Sequence, residues 1–284
     1  MKKIFFTLMA LWFGALFLKA QHLERIQFTN DSLDSKCDFR YSDCATSVYL
    51  DSLRSLYDLT SITKNCSSHL EKAKKLMDWT HSRWRHNGWD QPEKSDAISI
   101  LQEAEAGKNF RCVEYGIVLA AVLNSVGIPA RVLGLRTKDV ETRKSGAGHV
   151  VTEAYLPDLR KWILLDGQTN KIPIMKGIPL NAVELNLALN NHPKQVQFSN
   201  VYGICKGKTT RRYIDWIGQY LFYFNTSFDQ SYDGEKMKCN GKSSMMLVPL
   251  GAKQPKIFQI KHKIDYCIYT NNVNDFYRIP CLQE

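Results

Sequence analysis

The segment "FRCVEYGIVLAAVLNSVGIPAR", residues 110–131, decides how this chain folds. After Cys112 it contains almost no polar residue for about four helical turns. A helix that is apolar around its whole circumference is buried on several sides, and Gly127 and Pro129 are typical of a helix end. The pattern therefore predicts a buried helix over residues 112–126, with a single thiol at its polar N-terminal end.

A cysteine in this position has two interpretations. As a nucleophile it benefits from the helix dipole and the unpaired amides of the first turn, both of which favour the thiolate. As a structural residue it forms half of a disulfide. The even number of cysteines slightly favours complete pairing, although connectivity cannot be read from a sequence. The eight cysteines are Cys37, Cys44, Cys66, Cys112, Cys205, Cys239, Cys267 and Cys281.

Residues 1–20 have the pattern of a secretory signal peptide. Lys2 and Lys3 precede an apolar run over residues 4–18, and the small residue Ala20 ends the segment. The run is short for a membrane-spanning helix, which needs about 20 apolar residues. We therefore expect an exported, periplasmic or extracellular protein, in which disulfides form readily. An uncleaved anchor is the alternative.

Composition indicates a globular protein. With 284 residues, 44% hydrophobic and 23% charged, the chain is long enough for one large domain or a core with an appended lobe. The net charge is +10, and it falls to +7 without the three lysines of residues 1–20. This charge favours contact with acidic wall polymers, lipid headgroups or acidic proteins.

No nucleic-acid-binding motif accompanies the basic residues, so nucleic acid is not an expected partner. The densest basic cluster is interpreted as an ordinary solvated loop, and it consists of Lys206, Lys208, Arg211 and Arg212. His81 and His86 have a spacing that zinc sites use, but no C-x-x-C pair accompanies them. We therefore expect neither a metal nor a cofactor.

The pattern of helices and strands divides the chain after the signal peptide into three regions. They are an N-terminal cap (residues 21–66), a core (residues 67–180) and a strand-rich C-terminal extension (residues 181–284). Helices are predicted over residues 47–59, 68–87, 96–106 and 112–126. Strands are predicted over residues 130–136, 148–156, 160–166, 244–250 and 264–270, and a helix followed by a strand over residues 213–230.

A hairpin between the second and third of these strands brings two polar residues together. If Pro157 and Asp158 form its loop, His149 lies directly opposite Asp166. The Cβ atoms of such a pair are about 4.5–5.5 Å apart, which is close enough for an imidazole to hydrogen-bond a carboxylate. The sequence thus predicts a thiol at a helix N-terminus and a neighbouring histidine–aspartate pair.

Each member of this set has a chemical role. The imidazole of His149 stabilises a Cys112 thiolate and later protonates a leaving group. The carboxylate of Asp166 fixes the tautomer of the imidazole, and the Cys112 amide donates to an oxyanion. Glu114, in the first turn of the helix, either offsets part of the dipole or points outward to bind substrate or a backbone amide.

Residues 107–169 resemble the transglutaminase-like superfamily of papain-type cysteine enzymes. The pieces that carry the resemblance are "RCVEYGIVLAAVLNSVGIPARVLG", "GHVVTEAYLPDLRKW" and "WILLD". The resemblance implies an α+β papain/transglutaminase-like core, with the cysteine on a buried helix packed on an antiparallel sheet that carries the histidine and the aspartate. It also implies Cys112 as nucleophile, His149 as general base and acid and Asp166 as the orienting residue.

The resemblance assigns structural positions to Gly127, Pro129 and Arg131. The sequence departs from the family pattern at Phe110, Val151 and Gly167, where a glycine, an aromatic residue and a proline are usual. The Arg-Cys-x-Glu start is similar to the peptide N-glycanase branch, whose zinc-binding C-x-x-C pairs are missing here. The family's second oxyanion donor is an upstream side chain, often a tryptophan, and Trp79 and Trp84 are the candidates.

These observations lead to one prediction and two alternatives. The prediction is a secreted cysteine-dependent amide hydrolase or acyl transferase, acting on protein or peptide through a thioester, with hydrolysis favoured over cross-linking. The first alternative is a non-catalytic transglutaminase-like scaffold with Cys112 in a disulfide. The second is a basic protein that binds a wall or membrane surface and whose affinity falls steeply with salt.

Overall fold

A computed structural model describes residues 23–33 and 36–280 of the chain. The predicted signal peptide, residues 1–20, and Cys281 lie outside the described residues. The helices are α1 (Val48–Leu56), α2 (Leu59–Thr63), α3 (His69–His81), α4 (Ala97–Glu105), α5 (Cys112–Ser125), α6 (Ala182–Asn191), α7 (Lys208–Ile217) and α8 (Val273–Phe276).

The first strands in the chain are β1 (Arg40–Tyr41), β2 (Ala130–Arg136), β3 (Gly148–Leu156), β4 (Lys161–Leu165), β5 (Ile172–Met175), β6 (Ile178–Pro179), β7 (Val196–Asn200) and β8 (Gly203–Cys205). The remaining strands are β9 (Tyr223–Ser227), β10 (Asp229–Gln230), β11 (Ser244–Leu247), β12 (Ile257–Phe258), β13 (His262–Lys263) and β14 (Cys267–Thr270). The α+β class expected from the sequence is confirmed.

A six-stranded sheet in the order β14-β11-β9-β2-β3-β4 forms the centre of the fold. Its neighbouring strands run antiparallel, except for β11 and β14, which are parallel. The strands around His149 and Asp166, β2 to β4, are antiparallel as expected, and the parallel pair β11–β14 lies at the far edge of the sheet. The physical reason for the parallel pair is the long connection over residues 248–266, which returns the chain to the same end of the sheet before β14 begins.

Apolar residues cover both faces of this sheet. Helices α1 to α5 pack on one face against side chains such as Ala154 and Ile163, whereas Leu133, Leu135 and Val151 face the α6, α7 and C-terminal residues on the other. The alternation along β2 places its leucines on one side, as the period of two predicts. The C-terminal strands β9, β11 and β14 thus complete the sheet that carries β3.

Helix α5 lies directly against β3, and a glycine allows this close approach. A Cβ atom on Gly116 would meet Val150 Cγ1 at 2.8 Å and the Val151 carbonyl oxygen at 3.4 Å. The Thr152 hydroxyl also donates a buried hydrogen bond to the Gly116 carbonyl at 3.1 Å. These contacts fix the first turns of α5, and with them Cys112, relative to the strand that carries His149.

The hairpin between β3 and β4 has a longer loop than the sequence suggested. Residues 157–160 form the turn, and Tyr155 pairs with Trp162, so the register differs by two residues from the one predicted. Arg160 adopts a positive φ of 49°, which lets four residues close the turn. The direct pairing of His149 with Asp166 was therefore wrong. An even shift keeps both side chains on the same face, so they remain diagonal neighbours.

Helix α3 begins as predicted but ends earlier. The Ser68 hydroxyl accepts a hydrogen bond from the Glu71 amide at 3.2 Å, as a capping serine does. The helix ends at His81 rather than near residue 87, because the Ser82 hydroxyl and Arg83 Nε both donate to the Trp79 carbonyl. Residues 82–90 are consequently non-helical and cross beside the start of α5.

The C-terminal region contains the predicted helix followed by a strand, which are α7 and β9. A disulfide between Cys37 and Cys239 joins the N-terminal segment to this region. A disulfide, as expected from the cysteine content, is thus present, and it joins residues that are 202 positions apart in the sequence. Across the described ranges, we find no helix with the length and apolar character needed to cross a bilayer.

Candidate active site

Cys112 is the first residue of α5, and its thiol is free and partly buried. Among the described residues it takes part in no disulfide, in contrast to the scaffold alternative. The thiol lies close enough to the side chain of His149 to help raise the pKa of that imidazole. The first amides of a helix have no intrahelical acceptor, so the Cys112 N–H is available to an oxygen placed beside the thiol.

Glu114 does not point outward. Its side chain is 1% exposed, and its carboxylate accepts hydrogen bonds from the Arg111 amide at 3.0 Å and the Arg111 guanidinium at 2.6 Å. The sequence left open whether Glu114 offsets the helix dipole, binds substrate or binds a backbone amide. The structure shows that it binds a backbone amide, with its side chain buried. The ion pair with Arg111 offsets the negative charge that Glu114 brings close to the thiol.

His149 and Asp166 form a buried pair beside the thiol. Nε2 of His149 lies 3.1 Å from Oδ2 of Asp166, and the side chains are 2% and 0% exposed. This contact leaves Nδ1 as the ring nitrogen that can face Cys112. The second carboxylate oxygen of Asp166 accepts a hydrogen bond from the Thr169 amide at 3.1 Å. The structure thus brings together the three residues that the sequence singled out.

The electrostatics of the pair favour a charged imidazole. Burial alone would lower the pKa of His149, but the charge and hydrogen bond of Asp166, together with Cys112, raise it from 6.5 to about 9. Burial would raise the pKa of Asp166, whereas His149, Tyr213 and the Thr169 amide together hold it below its ordinary value. At neutral pH the pair is therefore imidazolium and carboxylate.

Helix α7 and the residues directly after it contact His149 and Asp166, and the sequence interpretation missed these contacts. The Tyr213 hydroxyl donates a hydrogen bond of 2.8 Å to Oδ2 of Asp166, the oxygen that also faces His149. The Trp216 ring meets the His149 ring edge-on, with 4.6 Å between centroids, and Tyr220 lies 6.0 Å from the same ring. The sequence signal was the spacing of these aromatic residues, which places them on one side of a helix.

Of the two candidate tryptophans, Trp84 is the one packed beside Cys112. Its ring lies 4.4 Å from that of Tyr115 and 5.8 Å from that of Phe110, which flank the cysteine in sequence. Trp84 is 7% exposed, and its Nε1 has no hydrogen-bond acceptor within the described residues. Trp79 instead contacts Tyr57 and Arg83.

The two histidines with zinc-like spacing have separate surroundings. Nδ1 of His81 is 3.2 Å from the Gly167 carbonyl oxygen. His86 is exposed, and burial of part of its ring and the charge of His149 lower its pKa, which places it close to the candidate site. In the part of the chain that the structure describes, no group of three or more metal-ligating side chains is arranged to hold an ion.

Two cavities are large enough to hold part of a substrate. One, of about 760 Å³, is lined by residues on both sides of Cys112, including Asn109 and Tyr115, and by Gln168 beyond Asp166. A second, of about 960 Å³, lies between the loop after β2, the end of α7 and the N-terminal segment, and none of the three candidate residues lines it. None of the three lines the first cavity either, but His86, which does, is close enough to His149 for the charge of His149 to lower its pKa, so the first cavity lies near the candidate site.

A comparison with known protein families covers the region that contains the candidate site. The sequence model of the transglutaminase-like superfamily matches residues 59–167, a range that includes Cys112, His149 and Asp166. A comparison with curated proteins gives no match.

Three solved structures are similar to parts of the chain. A candidate cysteine protease from Cytophaga hutchinsonii has 14% identity and a TM-score of 0.36, over 61% of this chain and 55% of the other. A candidate protease from Parabacteroides distasonis has 16% identity and a TM-score of 0.32, over 59% and 29%. The periplasmic domain of TgpA from Pseudomonas aeruginosa has 20% identity and a TM-score of 0.32, over 43% and 45%.

The matched region thus spans about half or less of each of these neighbours, at low identity. The family model is the more informative finding, because it covers the helix, the strands and the three polar residues on which the resemblance depended. It supports a cysteine-type enzyme in general. Residues 59–167 of this chain match the transglutaminase-like superfamily, and the family recognised from the sequence motifs is confirmed.

Proposed function

We propose that this protein is an exported cysteine-dependent amide hydrolase that acts on protein or peptide substrates through a thioester. The observation that carries the proposal is the free thiol of Cys112 at the N-terminus of α5, close to His149 of a buried histidine–aspartate pair. A nucleophile, a proton carrier and an orienting carboxylate in this order are what acyl transfer requires.

In the first half of the reaction, the Cys112 thiolate attacks the carbonyl carbon of the substrate and forms a C–S bond. The His149 imidazolium then gives its proton to the departing amine as the C–N bond breaks, which leaves a thioester on Cys112. The pKa of about 9 for His149 keeps this proton available at neutral pH. Asp166 holds the ring through Nε2, so that Nδ1 faces the reacting atoms.

In the second half, water attacks the thioester while His149, now neutral, accepts its proton. The C–S bond breaks, the substrate leaves as a carboxylic acid and Cys112 returns to the thiolate. Because Cys112 is only partly buried, water can reach the thioester, as hydrolysis requires. The edge of Trp216 covers the His149 ring and shields the ion pair from solvent.

Two N–H groups are candidate donors to the oxyanion that forms during each attack, and one of them is a buried indole that substrate binding would have to uncover. One is the Cys112 amide, and we propose that the other is Nε1 of Trp84, which has no acceptor within the described residues. Loss of one such donor typically lowers kcat by about 10² to 10³. We therefore expect Trp84→Phe, which keeps the stacking on Tyr115, to lower kcat by about that factor. An effect below about threefold, measured on the folded variant, would exclude Trp84 from this role.

A trapping experiment tests the proposed function. The protein is incubated with a casein digest, quenched in acid and analysed by mass spectrometry for acylated Cys112, with and without methylamine. We expect acyl groups on Cys112, and new carboxyl termini rather than methylamides among the products, with Cys112→Ser as the control. A preponderance of methylamides would assign amine transfer, and no acylation with any peptide of the digest would count against the enzyme.

Export and surface contact are further parts of the proposal. The Cys37–Cys239 disulfide supports an oxidising compartment. The basic residues Lys206, Lys208, Arg211 and Arg212 are exposed at and before the outer side of α7, whose other side contacts the candidate site. An acidic surface bound there would lie near the active site. Cosedimentation with vesicles of anionic lipid, across a range of salt concentrations, measures this contact.

A further inference from the structure

The cavity of about 760 Å³ lies beside the segment that precedes α5, and residues near Cys112 in the sequence line it, although Cys112 itself does not. Asn109 and Tyr115, which line it, lie three residues before and after Cys112, and Gln168 lies two residues after Asp166. Trp84, the proposed oxyanion donor, lines it as well. His86, which also lines it, is affected by the charges of His149 and Asp166, so a substrate group in this cavity would lie near the candidate residues.

The lining of the cavity carries positive charge only. It includes Arg83, Arg85 and Lys108 together with His81 and His86, and no aspartate or glutamate is among its lining residues. The charge of Lys108 is offset, because Glu103 lies 2.8 Å and Glu93 3.8 Å from its ammonium group. The two arginines thus dominate the electrostatics of the cavity.

Neither arginine has a carboxylate partner within the described residues. The Arg83 guanidinium lies 4.6 Å above the Trp79 ring and donates only to the Trp79 carbonyl and the Ser82 hydroxyl. Arg85 is exposed, and its side chain makes no ion pair across residues 23–33 and 36–280. A guanidinium without a counter-ion beside a cavity is suited to bind a carboxylate, because its N–H groups match the two oxygens.

The segment that carries these arginines is held firmly against α5. The Arg85 amide donates to Asn109 Oδ1 at 2.9 Å, and the Asn87 amide donates to the Phe110 carbonyl at 2.8 Å. The Tyr115 hydroxyl donates to the Trp84 carbonyl at 2.7 Å. The positions of the arginines relative to Cys112 are therefore set by the fold before a substrate arrives.

We propose that this cavity binds a carboxylate side chain on the acyl part of the substrate, so that the enzyme acts on acidic peptides. The inference rests on the proposed function, since it concerns the substrate of the same site. Arg83 and Arg85 supply the charge, while Asn109 and Gln168 supply neutral polar groups. The proposed ligand is an anionic residue, such as glutamate, whose own carbonyl is attacked by Cys112.

Two matched reagents test the proposal on the full-length mature protein. Ac-Ala-Glu-chloromethyl ketone and Ac-Ala-Gln-chloromethyl ketone differ only in the charge of the side chain that would enter the cavity. The rate of Cys112 alkylation is measured by mass spectrometry for each reagent. We expect the glutamate reagent to react about tenfold faster at low salt, and the ratio to fall towards one near 0.5 M salt, because salt screens partly exposed charges.

The matched variants are Arg83→Gln/Arg85→Gln and, as a control, Lys261→Gln/Lys263→Gln. Both pairs are two residues apart and remove two positive charges, but the two lysines are exposed and lie outside the cavity lining. We expect the first pair to abolish the preference for glutamate and the control pair to retain it. Arg85→Gln alone, which leaves the cation–π contact of Arg83 in place, substitutes if the double variant does not fold.

The outcomes separate the two proposals. Equal alkylation of Cys112 by both reagents in the unchanged protein would overturn the carboxylate site and leave the enzyme intact. A preference that survives in Arg83→Gln/Arg85→Gln would also overturn it. If neither reagent alkylates Cys112 faster than it alkylates Cys66, a partly buried free thiol elsewhere, the proposed function itself is overturned.

Discussion

Replacing Asp166 by asparagine should change how the stability of the protein depends on pH. The carboxylate of Asp166 and its hydrogen bond are the main reasons why the pKa of His149 is about 9, although burial opposes them. Asparagine removes the charge and leaves the burial. Cys112 still raises the pKa of His149 while burial lowers it, so this pKa should fall from about 9 towards its ordinary value of 6.5.

The magnitude follows from the two protonation states. A pKa of about 9 in the folded protein and 6.5 in the unfolded chain corresponds to about 3 kcal/mol of stability. Because the folded value is the higher one, this stability is fully present below pH 6.5 and is lost as the pH rises through about 9. The lowered pKa of Asp166 reflects the same contact. The stability that it contributes is present above pH 3.8 and is lost as the pH falls further.

Urea unfolding near pH 6 and near pH 9.5 measures the effect. We expect the unchanged protein to lose about 3 kcal/mol more between these two pH values than Asp166→Asn does. His192→Gln, which alters an exposed histidine, serves as the control and should behave like the unchanged protein. Equal losses in the unchanged protein and in Asp166→Asn would refute the reasoning, because His149 would then owe its proton to something else.

Three further substitutions test the packing around the site. Gly116→Ala places a Cβ atom 2.8 Å from Val150 Cγ1, so it should destabilise the fold by about 1–3 kcal/mol and slow the alkylation of Cys112. Glu153→Gln leaves the fully buried Arg131, now 2.7 Å from the carboxylate, without a counter-charge and should cost about 3–5 kcal/mol in urea unfolding. Tyr213→Phe removes one hydrogen bond to Asp166 and should lower kcat about tenfold, with KM nearly unchanged.

For each of these substitutions there is either a matched control variant or a result that would contradict the prediction. Tyr202→Phe removes an exposed tyrosine–aspartate hydrogen bond and should leave kcat unaltered. Gly146→Ala introduces a Cβ atom that meets nothing within 4 Å, although at a positive φ, and should not slow Cys112 alkylation. A loss below about 1 kcal/mol in Glu153→Gln would show that Arg131 is not held by its charge partner.

The parts of the fold that the sequence predicted are those controlled by local patterns. The apolar run after Cys112 and the helix-ending Gly127 gave α5 within one residue, and the alternation along β2 gave its two faces. His149 and Asp166 meet because both side chains remain on the same face of the sheet, even though the register differs by two residues from the predicted one. The face on which a side chain lies depends on the two-residue period of the strand, whereas the pairing of residues across the hairpin depends on the length of the loop.

The parts that the sequence did not predict depend on contacts distant in the chain. Tyr213 reaches Asp166 across 47 residues, and Cys37 reaches Cys239 across 202, so neither pairing leaves a local pattern. The end of α3 was misplaced because side chains after the helix bind the carbonyl of Trp79 and close its last turn. That early end creates the segment that carries the two arginines of the cavity.

The central claim is that Cys112 reacts as a thiolate paired with His149, and iodoacetamide labelling tests it most directly. Labelling is followed without reductant between about pH 5 and about pH 9, at each cysteine by mass spectrometry, for the unchanged protein and for His149→Ala. We predict rapid alkylation of Cys112 near pH 6, well ahead of Cys66 and Cys205, and a shift to higher pH in the variant. A Cys112 that is labelled only after reduction, or equally in both proteins, would contradict the account.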